Sequence, residues 1–281
     1  MKQIFISGIN GFLGKHLANF FSGIRYEVYG LSREFKVFLY SQDFGISKNE
    51  ININDIKIDR EKAFFLNSSS VESPDSKILD FYSVNFLHSL KLLNFCSDNK
   101  IKYFINLATT LDPESSPYAN SKNLFSSQLD YFSNRLELKA LNLFLEPVFG
   151  PGMRPPRLIP YVFEQCARNE TAILNSSKDL QRHFIYIDDF LEAVGEIINS
   201  YNSFRTDLYI SSKAKFSIKE IVDEILKLTN SKIEINYQNV NFVEYNFQTS
   251  DKVQSFFNLS SWRPKISLRE GLNKILENDF H

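Results

Sequence analysis

Gly8-Ile9-Asn10-Gly11-Phe12-Leu13-Gly14 is the segment that decides the fold of this chain. It follows the apolar run Gln3–Ser7, which predicts a buried strand, and it leads into apolar residues at helical spacing. At such a junction the first glycine permits a tight turn, the second lets backbone amides approach a pyrophosphate, and the third lets the helix pack close to the strand. The spacing therefore predicts a dinucleotide loop, with the anion held by N–H groups at the start of the helix.

The end of the second predicted strand, Tyr26–Leu31, indicates which dinucleotide is bound. An acidic residue about twenty positions beyond the loop binds the ribose 2′-hydroxyl of NAD, whereas an arginine there accommodates the 2′-phosphate of NADP. Here Ser32 and Arg33 follow the strand, and the first acid is Glu34. A guanidinium matches a phosphate through two parallel hydrogen bonds. We expect NADP, bound by Ser32 and Arg33 with help from Lys36; NAD is the alternative, in which Arg33 is a solvated charge.

The charge balance and the apolar pattern exclude several classes of protein. With 32 Lys and Arg against 33 Asp and Glu among 281 residues, the net charge is -1, so no overall field favours nucleic acid or an anionic membrane. No segment approaches the ~20 apolar residues of a membrane span, and the N-terminus lacks the features of a signal peptide. We expect a cytoplasmic protein. Two cysteines, and four histidines without ligand spacing, predict neither a disulfide framework nor a metal site.

Strand and helix patterns alternate along the rest of the chain. The predicted strands are Ala63–Leu66, Tyr103–Leu107, Ala140–Phe149, Phe184–Ile187 and Leu208–Ile210, and the predicted helices are Val84–Cys96, Tyr118–Leu138, Leu158–Arg168, Asp189–Ile198, Ile218–Thr229 and Ser267–Glu277. No element is predicted over Arg33–Arg60. This alternation predicts an α/β fold, a Rossmann-type doubly wound parallel sheet with a smaller C-terminal α/β substrate-binding region. We expect residues 1–150 to bind NAD(P) and 151–281 to bind substrate, with residues 185–212 returning to the first region.

Tyr118 and Lys122 form a candidate catalytic pair. Pro117 suits a helix start, and residues four apart share one helix face. A free tyrosine titrates near ~10, but a nearby ammonium favours the phenolate and lowers that pKa, which makes Tyr118 a usable general acid or base. The same lysine can donate to a ribose. The pattern alone is common on helix surfaces; its position after a dinucleotide loop and a strand ending in Thr109-Thr110 favours catalysis.

Together with later segments, these motifs resemble the extended short-chain dehydrogenase/reductase family, in particular its NAD-dependent epimerase/dehydratase group, which acts on nucleotide sugars. The resemblance covers nearly the whole chain. The segments that carry it are Gly8–Gly14 extended through Lys15-His16-Leu17, Val84-Asn85, Tyr118 with Lys122, Val148-Phe149-Gly150-Pro151-Gly152, Arg182-His183-Phe184-Ile185-Tyr186-Ile187-Asp188-Asp189 and Trp262-Arg263-Pro264.

The resemblance implies roles for individual residues. Thr109 matches the residue that hydrogen-bonds the 4-oxygen of the sugar and joins Tyr118 and Lys122 as catalytic, while Thr110 is the neighbouring candidate for the substrate. Arg182 matches an arginine that contacts the phosphates of the nucleotide sugar, and Arg154 or Arg157 is expected to join it. The implied cofactor-binding residues are Gly8, Asn10, Gly11, Phe12, Leu13, Gly14, Ser32, Arg33, Asn67, Ser68, Asn85, Lys122, Leu145 and Val148. The family also implies a homodimer formed through the helices that carry Asn85 and Tyr118.

Departures from the family pattern narrow the expected reaction. Dehydratases of the family follow the catalytic threonine with an Asp-Glu pair, whereas Thr110 and Leu111 stand here, which argues against 4,6-dehydratase activity. Epimerase-reductases of the GDP-fucose type need a nearby cysteine, and this loop has none. The short chain and the segment Leu145-Glu146-Pro147-Val148-Phe149-Gly150 look most like CDP-sugar 4-reductases of the abequose synthase type.

The expected function is therefore NADPH-dependent reduction of the 4-keto group of a nucleotide-activated deoxysugar, in the biosynthesis of surface-polysaccharide sugars. A nucleotide-sugar 4-epimerase that keeps NAD bound is the alternative, because the same residues serve it in both directions. A non-catalytic, dinucleotide-sensing regulator on the same fold is a third hypothesis. Such regulators typically lose the Tyr or the Lys, and here both Tyr118 and Lys122 are present.

Overall fold

A computed structural model describes residues 1–73, 75–203, 207–238 and 252–280 of the chain. The strands are β1 (Gln3–Ser7), β2 (Glu27–Leu31), β3 (Val37–Ser41), β4 (Gly45–Ile51), β5 (Ala63–Asn67), β6 (Tyr103–Thr109), β7 (Lys139–Leu145), β8 (Val148–Phe149), β9 (Ala172–Leu174), β10 (Gln181–His183), β11 (Ile185–Tyr186), β12 (Asp207–Ile210), β13 (Lys215–Ser217), β14 (Ile235–Tyr237) and β15 (Val253–Ser255). The helices are α1 (Phe12–Gly23), α2 (Ile78–Tyr82), α3 (Ser89–Asp98), α4 (Pro117–Arg135), α5 (Leu158–Arg168), α6 (Ile187–Asn199), α7 (Ile218–Thr229), α8 (Phe256–Leu259) and α9 (Leu268–Asp279), with a π-helical turn, Ser83–His88, between α2 and α3.

A large sheet runs in the order β15-β12-β7-β6-β5-β1-β2-β3-β4. Neighbouring strands from β7 through β2 pair in parallel, as do β12 and β15, whereas β3 pairs antiparallel with both β2 and β4. The strand order reverses between β1 and β5, because β2, β3 and β4 lie on one side of β1, whereas β5, β6, β7 and β12 lie on the other. This mixed α/β arrangement with a parallel central sheet confirms the predicted Rossmann-type fold class.

The chain divides into two compact units. Unit 1 comprises Met1–Leu145, Val194–Tyr209 and Phe247–Phe256, and unit 2 comprises Glu146–Ala193, Ile210–Asn246 and Phe257–His281. The assignment of cofactor and substrate binding to separate regions stays a prediction.

In unit 1, α3 and α4 cover one face of the sheet through a row of stacked rings. Tyr29, Phe5, Phe65 and Phe104 are register partners on β2, β1, β5 and β6, and they are called here the aromatic layer. Phe5 stacks on Tyr29 with the ring centroids 4.9 Å apart, and Phe65 stacks on Phe104 at 5.5 Å. All four side chains are buried, so the layer removes a large apolar area from water and fixes the central strands against the two helices.

Unit 2 is tied together by Asp189, which lies near the start of α6. Its carboxylate accepts the backbone N–H groups of Lys265 and Ile266 at 2.8 and 3.0 Å, and its own carbonyl accepts the indole N–H of Trp262 at 3.1 Å. Asp189 and Trp262 are both buried. These bonds place the Trp262-Arg263-Pro264 segment of the sequence pattern beside the start of α6.

The structure differs from the predicted local elements in three places. Arg33–Arg60, where the sequence pattern placed no element, contains the β3–β4 hairpin. Its polar composition gives no strand pattern, because the hairpin lies at the edge of the sheet and only Val37 is buried in it. The helix predicted over Val84–Cys96 begins earlier and contains the π-helical turn. The strand predicted over Ala140–Phe149 ends at Leu145 and resumes at Val148, because Pro147 has no N–H to donate to a ladder.

Among the described residues, no helix combines the length and the apolar character needed to cross a membrane.

Candidate functional site

The glycine loop between β1 and α1 requires glycine at two positions. Gly8 has φ +69°, a conformation that other residues rarely adopt, and a Cβ there would lie 2.8 Å from the carbonyl oxygen of Ser68. A Cβ on Gly14 would collide with the carbonyl oxygen of Gly8 and lie 2.7 Å from the Cα of Ile9. The start of α1 therefore lies directly against the end of β1, as the sequence spacing predicted.

The first turn of α1 fits an anion. Within this described turn no side chain caps the helix at Gly11, and no acidic residue is present. Asn10 and Gly11 are exposed, while Phe12 and Leu13 are half-buried. The N–H groups of the first turn, together with the positive end of the helix dipole, thus suit the pyrophosphate of a dinucleotide.

The end of β5 lies beside the glycine loop, as is expected for the switch point of a doubly wound sheet. The Ser68 hydroxyl donates to the carbonyl of Ser7 at 2.6 Å, and the Ser7 hydroxyl donates to the Asn67 amide oxygen at 2.9 Å. The Asn85 side chain forms two hydrogen bonds with the backbone of Val71. Its amide oxygen accepts from the Val71 N–H at 2.9 Å, and its amide nitrogen donates to the Val71 carbonyl at 3.1 Å. The structure thus joins Gly8, through Ser7, to Asn67 and Ser68, and Asn85 holds the chain that follows them.

Asn85 lies in the π-helical turn and also contacts the helix that carries the candidate catalytic pair. Its amide donates to the Ser121 hydroxyl at 3.0 Å, and that hydroxyl donates to the Tyr118 carbonyl at 2.9 Å. Single π-helical turns are frequent at functional sites. Asn85 is buried, so this link fixes the position of the first turn of α4 relative to the turn before α3.

Helix α4 presents Lys122 to the interior and Tyr118 to a half-exposed position. The Ser116 hydroxyl caps the helix by accepting the Ala119 N–H at 3.1 Å. The Lys122 ammonium donates to the carbonyl of Leu107 on β6 at 2.6 Å. Burial lowers the pKa of Lys122 to about 8, and the Glu72 carboxylate opposes this effect. The amine is therefore held at a fixed place, with its pKa below the ordinary value for lysine.

The end of β6 carries Thr109 and Thr110, both buried. The Thr109 hydroxyl accepts the N–H of Leu111 at 3.2 Å, and the Thr110 hydroxyl donates to the carbonyl of Leu145 at 3.1 Å. The bond from Thr110 joins the ends of β6 and β7, so that Thr109, Thr110 and Leu145 lie on the same edge of the sheet as Gly8.

The turn after β2 holds the residues expected to select the dinucleotide. Ser32 accepts the N–H groups of Glu34 and Lys36 at 3.2 and 3.1 Å, which orders the turn, and Arg33 is exposed. The Lys36 ammonium forms an ion pair with Glu50 at 3.0 Å. The structure therefore pairs Lys36, the expected helper of Arg33, with a carboxylate of the β3–β4 hairpin.

Three of the expected site residues belong to unit 2. Val148 is buried in β8, Arg154 is exposed, and Arg182 lies half-buried in β10, where it is the register partner of Phe216 on β13. Arg157 directly precedes α5. Binding and catalytic roles stay predictions for these residues, as they do for those of unit 1.

The sequence analysis missed a buried polar row next to the aromatic layer. Ser7, Asn67, Asn106 and Asn142 are register partners on β1, β5, β6 and β7, and the row ends at Asp207 of β12. We call these five residues the asparagine row. An asparagine within or directly after each of three successive predicted strands was the signal that could have revealed it.

The parallel sheet, the glycine loop at its switch point and the buried lysine on α4 define a Rossmann-type NAD(P)-dependent enzyme of the short-chain dehydrogenase/reductase class. The sequence profile described as the NAD dependent epimerase/dehydratase family matches residues 4–209. The chain belongs to this family, as the sequence motifs indicated.

Several known proteins are similar to this chain over nearly its whole length. CDP-abequose synthase from Salmonella muenchen is 24% identical over 288 residues, covering 98% of this chain and 97% of the relative. UDP-glucuronic acid 4-epimerase from Bacillus cereus, solved in complex with NAD, has a TM-score of 0.77 at 17% identity and covers 98% of this chain and 96% of its own. RMD from Pseudomonas aeruginosa, solved with NADPH, has a TM-score of 0.72 at 15% identity and covers 99% of each chain. At these identities the two solved structures show the fold.

Proposed function

We propose that this protein reduces the 4-keto group of a nucleotide-activated deoxysugar with NADPH. The observation that carries the proposal is the full-length similarity to CDP-abequose synthase, because the sequence resemblance implies that enzymes of this type are CDP-sugar 4-reductases. The replacement of the dehydratase Asp-Glu pair by Thr110 and Leu111 agrees with a reductase. The finer expectations follow from the same proposal: a cytoplasmic enzyme that supplies sugars for surface polysaccharides.

The cofactor fits the residues present. The glycine loop and the open first turn of α1 would hold the pyrophosphate, and Arg33 would face the 2′-phosphate. NADPH, when bound, supplies a hydride for the carbonyl carbon. NAD stays the alternative, since the solved structures of this fold include complexes with NAD as well as one with NADPH.

Side chains of the protein would donate a proton to the carbonyl oxygen and hold that oxygen in place. Tyr118 would donate a proton to the oxygen of the reduced carbonyl, and Thr109 would orient that oxygen by a hydrogen bond. Lys122, held on the Leu107 carbonyl, would lower the pKa of the Tyr118 hydroxyl through its positive charge and bind the ribose. Arg182 and Arg154 would bind the phosphates of the nucleotide sugar.

A panel of substrates tests the proposal directly. CDP-, dTDP-, UDP- and GDP-4-keto-6-deoxysugars are incubated with the purified protein, and the absorbance of NADPH is followed. Loss of absorbance with one or more of these sugars is expected. A protein that retains NAD through purification and interconverts a nucleotide sugar at C4 without added NADPH would be the epimerase instead.

A variant pair tests the role of the tyrosine. Tyr118→Phe is expected to lower kcat by about 10²–10⁴-fold, because the proton donor is lost. NADPH binding should persist in this variant. Tyr131→Phe is the matched control, since Tyr131 lies on the same helix and is 52% exposed. Equal activity of Tyr118→Phe and the control would remove Tyr118 from the mechanism.

Exposed apolar side chains offer a surface for the expected homodimer. Large apolar side chains are exposed on α2, α4 and the π-helical turn: Ile78, Leu79, Leu87, Leu124 and Tyr131, with exposures from 37% to 76%. Leu124 and Tyr131 are seven residues apart and so lie on one face of α4. We expect light scattering to give the mass of a dimer, and Leu87→Glu to give that of a monomer.

A further inference from the structure

The asparagine row is a chain of hydrogen bonds that points in one direction. Ser7 donates to Asn67 at 2.9 Å, Asn67 to Asn106 at 3.1 Å, Asn106 to Asn142 at 2.8 Å, and Asn142 to a carboxylate oxygen of Asp207 at 2.8 Å. An ionised carboxylate only accepts hydrogen bonds. Asp207 therefore fixes the orientation of the Asn142 amide, and each amide in turn fixes the next one.

Two side chains of the row donate to serine hydroxyls on the helices of the candidate site. The Asn67 amide donates to the Ser89 hydroxyl at 3.0 Å, which donates to the Asn85 carbonyl at 3.0 Å. The Asn106 amide donates to the Ser126 hydroxyl at 3.3 Å, which donates to the Lys122 carbonyl at 3.1 Å. Each serine lies one helical turn after the functional residue whose carbonyl it binds.

A second contact strengthens the attachment of α4. The Asn142 amide donates to the backbone carbonyl of Ser126 at 3.0 Å, so two neighbouring asparagines hold the same residue of the helix. Asn106, Asn142 and Ser126 are all buried. Polar side chains held in this way cannot move without leaving a buried hydrogen-bonding group unsatisfied.

The row is not what packing alone would select. Asparagine is depleted in strands, and the positions around it in β5 and β6 are apolar. Valine or leucine would bury more apolar area and would need no partner. Apolar side chains, however, permit sliding of a helix over the sheet, whereas directional bonds select one position.

From these contacts we propose that Asn67 and Asn106 are positioning residues, which set the places of Asn85 and Lys122 relative to the glycine loop through Ser89 and Ser126. The proposal rests on the proposed function, because it takes Asn85 as a cofactor-binding residue and Lys122 as a catalytic residue. Because Ser7 directly precedes Gly8, the same row reaches the strand end that carries the dinucleotide loop.

Ser126→Ala tests the proposal, with Ser133→Ala as its matched control. Ser133 is a buried serine of the same helix, and its hydroxyl bonds to the Asp130 carbonyl within that helix at 3.3 Å. Ser126→Ala is expected to lower kcat by between about tenfold and about a hundredfold, as a displaced catalytic group does, with the KM for the sugar unchanged. Ser133→Ala should leave kcat unchanged.

Hydrogen–deuterium exchange supplies a readout that does not depend on activity. Amides of residues 118–126 should exchange faster in Ser126→Ala than in Ser133→Ala. Equal exchange in the two variants would overturn the proposal, and so would an unchanged kcat in an active Ser126→Ala enzyme. If the wild-type protein reduces none of the sugars, the proposed function fails, while the exchange comparison still decides the role of the row. If Ser126→Ala does not fold, Ser89→Ala gives the same comparison on α3.

Discussion

The aromatic layer and the asparagine row lie on the same face of the same sheet, one pleat apart. The layer mainly stabilises the fold, whereas the row mainly specifies position. Phe5, Phe65 and Phe104 precede Ser7, Asn67 and Asn106 by two residues, so β1, β5 and β6 each contribute one side chain to each set. The rings stabilise the fold through buried area, which depends little on direction. The amides contribute less net free energy but specify position, because a hydrogen bond fails when its geometry changes. Stability is thus concentrated in the aromatic layer, and positional definition in the asparagine row.

Phe65→Ala should have the largest effect on stability. Phe65 is fully buried and stacks on Phe104. Its truncation is expected to lower the free energy of unfolding by about 3–5 kcal/mol, measured by urea denaturation. The folded fraction should keep its activity. Phe44→Ala is the control, since Phe44 is 89% exposed and its loss should change little. A fall in kcat of the folded Phe65→Ala protein would contradict this comparison, because it would show that the aromatic layer also positions the site.

The pH dependence of stability should show the carboxylate that ends the asparagine row. Burial raises the pKa of Asp207 from 3.8 to about 6, against the effect of its hydrogen bonds from Asn142. Between these values the folded protein binds more protons than the unfolded chain does. The contribution of Asp207 to the free energy of unfolding therefore falls as the pH rises from about 4 to about 6, by up to about 3 kcal/mol.

Comparison with Asp207→Asn isolates this contribution from those of the other carboxylates. Urea denaturation of both proteins at several pH values gives the difference in unfolding free energy. We expect the wild type to lose stability relative to the variant as the pH rises through this window. A difference that does not change with pH would show that Asp207 keeps its ordinary pKa.

Asn67→Leu should have the smallest effect on stability and a clear effect on the site. The substitution leaves the Ser7 hydroxyl and the Asn106 amide oxygen without their partner, at about 1–3 kcal/mol each, whereas the Ser89 hydroxyl keeps its bond to the Asn85 carbonyl. The added apolar area offsets part of this cost. We expect a loss of about 1–2 kcal/mol in urea denaturation, smaller than that of Phe65→Ala. A loss of unfolding free energy as large as that of Phe65→Ala would mean that the asparagine row stabilises the fold as strongly as the aromatic layer does.

Much of unit 1 could be predicted from the sequence because its signals are local. The glycines of the loop, the helix start at Pro117 and the Tyr118–Lys122 spacing each depend on residues a few positions apart. The β3–β4 hairpin could not be predicted, because strands at the edge of a sheet need little apolar patterning. The fold class and the family followed from the local motifs, whereas the exact element bounds around Val84 and Leu145 did not.

The sequence by itself determined the α/β alternation, the dinucleotide loop and the candidate pair on α4, because each depends on the spacing of residues that are close together in the chain. Only the tertiary structure decided that Lys122 is buried, that Asn67, Asn106 and Asn142 stand side by side, and that Asp207 closes their row. The physical reason is that strand register and burial join residues far apart in the chain. Asn142 and Asp207 are bonded across 65 positions of sequence, and no local pattern records such a contact.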